Sequence, residues 1–283
     1  MSKLARIAKR HRMSPGKALF YEALVRAWRY PVLRSVLRIP FGTRQPKAWI
    51  FLVGSYNAGT TIVKNAILSH PGVAGMPVEG DIMTSVLDDF ESGDFPRGMY
   101  ANKDRIEADR AGAAPDAKQI EKDWSPWIRR GQRFLEKSIS NSLRMPHLRK
   151  AFPGCRFVCV VRHPEDVARG IRKRSQPKAG GEYQNDFLDQ QWAYFYQTML
   201  DDSQPQDTVF CSYESFIQSP AEEVERLFKE LELPTVPIRH EGETLHVGAV
   251  QHRIRPLPIE RAVEDNAVQQ LKNHLAVIAE QSS

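Results

Sequence analysis

The chain has 283 residues, 41% hydrophobic and 26% charged, ordinary globular usage that excludes wholesale disorder. No apolar run reaches the ~20 residues of a membrane-spanning helix, and three cysteines without C-x-x-C spacing argue against a disulfide scaffold or zinc ribbon. Of the net charge of +6, residues 1–47 carry +11, from twelve Lys/Arg against the single acid Glu22, which leaves −5 for the remainder. That asymmetry points to an anionic partner: a membrane surface, nucleic acid or an acidic ligand.

Residues 1–17 are polar and basic. From Ala18 to Phe41, Leu19, Phe20, Ala23, Leu24, Ala27 and Trp28 recur at helical spacing among arginines. Pro31 is expected to break or kink this helix, and Val32, Leu33, Val36, Leu37 and Ile39 begin a second stripe. A basic amphipathic helix with Trp and Phe has the composition of an interfacial membrane helix; docking on the body is the other reading. No continuous apolar core or A-x-A-like site marks a secretory signal. Residues 1–47 are therefore read as an arm, and 48–283 as a single α/β domain.

Trp49–Val53 is a short apolar run rich in β-formers, as expected of a buried parallel strand. Gly54-Ser55-Tyr56-Asn57-Ala58-Gly59-Thr60-Thr61 follows, and Ile62–Leu68 reads as a helix. Strand, glycine-bounded loop and helix N-terminus form an anion cradle of backbone N–H groups, to which Thr60 and Thr61 add hydroxyls. The spacing is that of a Walker A loop, but Thr60 occupies the place of the lysine that reaches a nucleoside triphosphate, which weakens a kinase reading. Phe152–Pro164 reads as a turn, a buried strand ending in Arg162, and a helix Glu165–Arg174 opened by Pro164. Ligands in open α/β sheets gather at the carboxyl ends of strands, so Arg162 belongs beside the loop after Val53, unless it serves an ordinary ion pair. Cys155 and Cys159, inside this apolar run, are expected as buried reduced thiols.

The loop resembles the 5′-phosphosulfate loop of sulfotransferases, G-x-P-[RK]-[SA]-G-T-T, at Gly54, Gly59, Thr60 and Thr61, and departs from it at Tyr56 and Asn57. The later Phe152–Pro164 segment resembles that family's 3′-phosphate site; Gly170 stands where a serine is common, and Arg169, Arg172 or Lys173 could substitute. Phe134-Leu135-Glu136-Lys137-Ser138, Val209–Phe216 and Met76-Pro77-Val78-Glu79-Gly80 extend the resemblance over about residues 49–255. It implies a three-layer fold with a central parallel sheet and P-loop-like nucleotide binding. It implies a sulfuryl donor, 3′-phosphoadenylyl sulfate (PAPS), leaving adenosine 3′,5′-bisphosphate, with a small-molecule, carbohydrate or lipid hydroxyl as acceptor.

The same resemblance implies that Ser55 to Thr61 hold the phosphosulfate, with Arg162, Gly170, Arg253 and Arg255 at the 3′-phosphate and Tyr213 near the adenine. Glu79 is the first choice of general base, with Asp81 as competitor, and Lys137 replaces the cation missing at Asn57. Lys64 is expected to face solvent or a carboxylate, and His70 to close its helix. Residues 90–132 are expected to form helices and a lid over the acceptor, where Trp124 and Trp127 line a wall or pack in the core. The aromatic stripe of Tyr183–Leu200 reads as a buried helix. No metal motif, nucleophile elbow or nucleic-acid motif is present. The expected location is the cytoplasm, with residues 1–41 on an anionic membrane face. A non-catalytic nucleotide-binding protein with a degenerate donor site, and a nucleotide or nucleoside kinase, are the alternatives.

Overall fold

Alternation along two apolar strands sets the architecture. In a computed structural model, which describes residues 44–76, 78–254, 269, 271–276 and positions 23, 27, 30, 32, 33 and 36, the first strand is β1 (Trp49–Gly54). Its residues Trp49, Phe51 and Val53 enter one core, and Ile50 and Leu52 enter a second. The same holds for β4 (Arg156–Val161), whose Phe157, Cys159 and Val161 face the first core and Val158 and Val160 the second. A strand buried on both faces needs helices above and below it, which is the three-layer arrangement of parallel sheets.

Five parallel strands are ordered β2-β3-β1-β4-β5, with β2 (Val73–Gly75), β3 (Arg133–Glu136) and β5 (Thr208–Ser212) completing the sheet. On one face lie α1 (Thr60–Ile67), α7 (Tyr213–Gln218) and α8 (Pro220–Glu230), through Val63, Phe216, Val224 and Leu227. On the other lie α2 (Lys103–Ala111), α3 (Ala117–Trp124), α4 (Met145–Ala151), α5 (Pro164–Arg172) and α6 (Asn185–Asp202). The strands β6 (Ile238–Glu241), β7 (Thr244–Val247) and β8 (Val250–Arg253) form a separate antiparallel sheet that contributes Leu245 and Val247 to the second core.

Chain order and spatial order part company around β1. Its neighbours are β3 and β4, so the connection from β3 to β4 crosses it, and the ends of all three strands share one edge. Register fixes what stands there. Phe51 pairs with Glu136 and Gly54 with Val160, so Lys137, the loop after Gly54 and Arg162 emerge side by side.

Several expectations acquire definite places. Residues 90–132 contain α2 and α3, and Trp124 is fully buried against Trp49, Phe134 and Phe152, so it packs in the core and does not line a pocket wall. The α6 stripe Trp192, Phe195, Tyr196 and Met199 is core. All three cysteines are free and buried, and burial pushes the Cys155 thiol up to about 12. Among the described residues no helix is long and apolar enough to cross a membrane. Most of the arm, together with Pro77 and Arg255, lies outside the described residues.

Candidate functional site

The loop between β1 and α1 is built from beneath. Gly59 has φ 95°, a left-handed conformation that glycine adopts without steric cost. A Cβ there would also lie 2.1 Å from the Tyr213 ring, so the loop closes onto that ring only with glycine. At the loop's start, Gly54 N–H donates to Ser142 Oγ at 2.8 Å and the same hydroxyl donates back to Gly54 O at 3.1 Å. Ser55 Oγ reaches the Tyr196 hydroxyl at 3.3 Å, which in turn donates to Val160 O at 2.9 Å. Tyr56 donates to Glu91, and burial with that carboxylate raises its phenol well above the ordinary value. α1 carries no acid in its first turn, so nothing there opposes an anion at its N-terminal N–H groups.

Arg162 follows β4 directly and is only 3% exposed. Its Nη1 donates to Asn57 O at 3.0 Å, its Nη2 lies 3.7 Å from Asp166, and its guanidinium stands 4.3 Å from the centre of the Tyr213 ring. The structure thus brings Asn57, Gly59, Arg162 and Tyr213 into one cluster. Gly170, one turn further along α5, lies against Asn57: a Cβ would approach the Asn57 Cβ to 2.9 Å. A mid-helix glycine costs about 1 kcal/mol relative to alanine, and this contact is its structural reason.

The acidic loop is stapled at both ends. Lys64 is buried and donates to Met76 O at 2.7 Å, facing inward and not toward solvent. Gly80 N–H donates to Glu136 at 2.8 Å, Asp81 N–H to Ser138 Oγ at 3.2 Å, and Trp124 Nε1 to Gly80 O at 3.1 Å. Glu79, between these anchors, forms an ion pair with Lys137, the residue immediately after β3. Glu136 is fully buried and also accepts from Ser138 and, at 2.5 Å, from Asn141. Burial pushes its carboxyl up, while these hydrogen bonds and the two lysines pull it back. Asp81 accepts from Ser140 at 2.6 Å, and burial beside Glu79 and Glu136 pushes it up to about 7.

Other expected residues lie further out. His70 closes the turn after α1, accepting Gly72 N–H at 2.9 Å and meeting Pro234 O at 2.8 Å. Arg253 sits on β8 and pairs with Glu243 at 2.6 Å. Arg169 pairs with Asp166 at 3.1 Å, and Arg172 donates to Tyr183 O and Asn185. The residue that does reach the loop from this segment is Arg174, whose Nη1 donates to Asn57 Oδ1 at 2.8 Å. Sequence spacing carries no sign of that contact, nor of those made by Ser142 and Glu136. Among the described residues, no group of three His, Cys, Asp or Glu side chains could hold a metal ion.

Asp81 generates a pH-dependent stability. Its pKa is higher in the folded chain than the 3.8 of an exposed aspartate. The folded state therefore holds the proton more tightly, and stability falls as pH rises between those values. Chemical denaturation of the wild type and Asp81→Asn should show the wild type losing stability relative to the variant from about pH 4 to about pH 7, with little further change above. A constant difference across that range would contradict the buried, protonatable Asp81.

The sulfotransferase family model matches residues 49–237. Comparison with curated proteins gives no match. Among solved structures, a sulfotransferase of Mycobacterium tuberculosis H37Rv is 13% identical with a TM-score of 0.50, covering 94% of this chain and 86% of that one. A sulfotransferase of Alicyclobacillus acidocaldarius is 15% identical with a TM-score of 0.47, covering 84% and 94%. The sulfotransferase domain of the curacin biosynthetic pathway is 19% identical with a TM-score of 0.45, covering 69% and 76%. At such identities the mycobacterial likeness is one of fold. The family match runs from β1 past α8 and takes in the phosphate loop, the Glu79 loop, Lys137, Arg162 and Tyr213; the chain belongs to the sulfotransferase family.

Proposed function

We propose that the chain transfers a sulfuryl group from PAPS to a hydroxyl of a small-molecule, carbohydrate or lipid acceptor, releasing adenosine 3′,5′-bisphosphate. The observation that carries this reading is the convergence, at one edge of the sheet, of an acid-free phosphate loop, Arg162 and the Lys137–Glu79 pair. The residues fit such a donor. The loop offers backbone N–H groups and the Thr60 and Thr61 hydroxyls to the 5′-phosphosulfate, and Arg162 offers a guanidinium to the 3′-phosphate. Tyr213, buried under Gly59, supports both. Arg253, with Arg255, is assigned to the 3′-phosphate, where Arg253 exchanges Glu243 for the ligand.

The donor supplies a sulfuryl group already activated by its phosphate. Glu79, as the ionised partner of Lys137, accepts the proton of the acceptor hydroxyl. The acceptor oxygen bonds to sulfur as the bond from sulfur to the bridging phosphate oxygen breaks. Lys137 neutralises the charge left on that phosphate, the kind of fixed electrostatic stabilisation that dominates group transfers of this type. Lys64 donates to Met76 O, which weighs against the loop serving a nucleoside triphosphate.

The exposed apolar side chains Tyr30, Val32, Leu33 and Val36, together with the basicity of residues 1–41, support contact of the arm with an anionic membrane at the cytoplasmic face.

Arg162→Ala removes a charge-assisted contact of about 1.5–3 kcal/mol, so the Kd for adenosine 3′,5′-bisphosphate should rise about 10- to 150-fold. An unchanged Kd by calorimetry would remove the phosphate assignment. Glu79→Gln should lower kcat by about 10²- to 10⁴-fold in a labelled-PAPS assay over a panel of hydroxyl acceptors, with bisphosphate affinity retained. Near-wild-type turnover of that variant would take the base away from Glu79, and wild-type donor binding with no turnover on any acceptor would favour the non-catalytic reading. Sedimentation with phosphatidylserine vesicles should capture the full chain at low salt and release it as salt rises. Equal capture by neutral vesicles would argue against the electrostatic contact.

A further inference from the structure

Asn57 is held by two arginines. Arg162 donates to its main-chain oxygen at 3.0 Å and Arg174 to its side-chain Oδ1 at 2.8 Å. A guanidinium has donors only, so the Arg174 contact fixes which end of the Asn57 amide is oxygen. The other end, Nδ2, carries two N–H donors. It is buried and has no hydrogen-bond partner among the described residues. An unmet buried amide donor is unfavourable and uncommon, so its persistence calls for a specific explanation such as a functional role.

The backbone and the neighbouring helix hold the amide in place. Asn57 has φ 59°, a left-handed conformation that asparagine tolerates better than most residues. Gly170 leaves room for it: a Cβ on α5 would lie 2.9 Å from the Asn57 Cβ, 3.0 Å from its Cγ and 3.5 Å from Nδ2. Positions 54–61 contain no charged residue, so the positive charge at the loop's Asn57 comes from Arg162 and Arg174, on either side of α5. Arg169 and Arg172 are committed to Asp166 and to Tyr183 and Asn185.

We propose that Arg174 is a positioning residue of the donor site. By holding Oδ1 it turns Nδ2 of Asn57 toward a phosphate oxygen of the donor, and its charge polarises the amide so that the N–H donates more strongly. Gly170 keeps that arrangement free of a Cβ. Loop, glycine and distant arginine thus act as one unit in which a neutral amide conveys a cation's charge to the ligand. This inference rests on the reading of the loop as a donor-phosphate site.

The test is the Kd of adenosine 3′,5′-bisphosphate for the full chain, measured by calorimetry, with melting temperatures recorded alongside. Arg174→Ala and Asn57→Ala should each weaken binding about 5- to 10-fold, the worth of one hydrogen bond. The double variant should bind no more weakly than Asn57→Ala alone, because the arginine acts through the amide. Asn57→Asp separates positioning from scaffolding: it keeps an oxygen for Arg174 but replaces the N–H donor with an acceptor. It should bind more weakly than Asn57→Ala while melting no lower than the wild type. Gly170→Ser, which crowds Asn57, should also weaken binding. A wild-type Kd for Arg174→Ala or Asn57→Asp, or additive losses in the double variant, would overturn the proposal. If Arg162→Ala weakens binding and Arg174→Ala does not, this inference alone fails. Absence of bisphosphate binding by the wild type would overturn both it and the donor reading.

Discussion

A buried guanidinium, that of Arg162, is the interaction on which the rest of the site depends. Its main chain follows β4 directly, its side chain reaches the phosphate loop at Asn57 O, its charge approaches Asp166 on α5, and its guanidinium lies near the Tyr213 ring at the start of α7. Burying a cation is costly unless it is paired, so these partners are needed to keep it there. Further bonds brace them from outside: Trp192 Nε1 donates to Arg162 O at 2.9 Å, and His163 N–H donates to Glu214 at 2.9 Å. The close contact of Gly59 with Tyr213 follows from the same packing, since the ring that the guanidinium faces is also the floor of the loop.

Around the Glu79 loop the organising quantity is charge balance among partly and fully buried groups. Burial and the neighbouring Glu79 and Glu136 push Asp81 up, while Lys64 and Lys137 pull the buried Glu136 back down. Environment gives each a different part. Glu136 is committed to hydrogen bonds that hold the loop, Asp81 favours its protonated form up to near neutrality, and Glu79 is the exposed member, paired with Lys137. The more exposed Glu79 therefore sits on a loop whose neighbours are anchored through buried groups, an arrangement that favours precise placement of its carboxylate.

The sheet and the phosphate loop were legible because their signals are local. Alternating burial makes β1 and β4 continuous apolar runs, and the G-x4-G-T-T loop must follow one of them. The placement of Arg162 was legible because β4 is short and its end is marked by Pro164. What escaped was encoded in partners far apart. Arg174 meets Asn57 across 117 positions, and Ser142 meets Gly54 across 88. Of the two surroundings expected for Lys64, solvent or a carboxylate, the fold supplies the second: the side chain is buried, near the charge of Glu136, and donates to the carbonyl of Met76. The basic segment near residue 250 gave little sign of the antiparallel sheet, because β6 and β8 are largely exposed and only the short β7 alternates, burying Leu245 and Val247. Asn57 and Gly170, read from sequence as two separate departures from the family pattern, form a single contact in space.

The central claim is that the Arg162 cluster and the loop above it form a site for the sulfuryl donor's nucleotide. A crystal structure of the full chain with adenosine 3′,5′-bisphosphate tests it most directly. The expected result is the 5′-phosphate within hydrogen-bond distance of the backbone N–H groups at Gly59 to Thr61 and the 3′-phosphate on the Arg162 guanidinium. Density for the nucleotide away from both groups, with Arg162 unchanged on Asn57, would contradict the account.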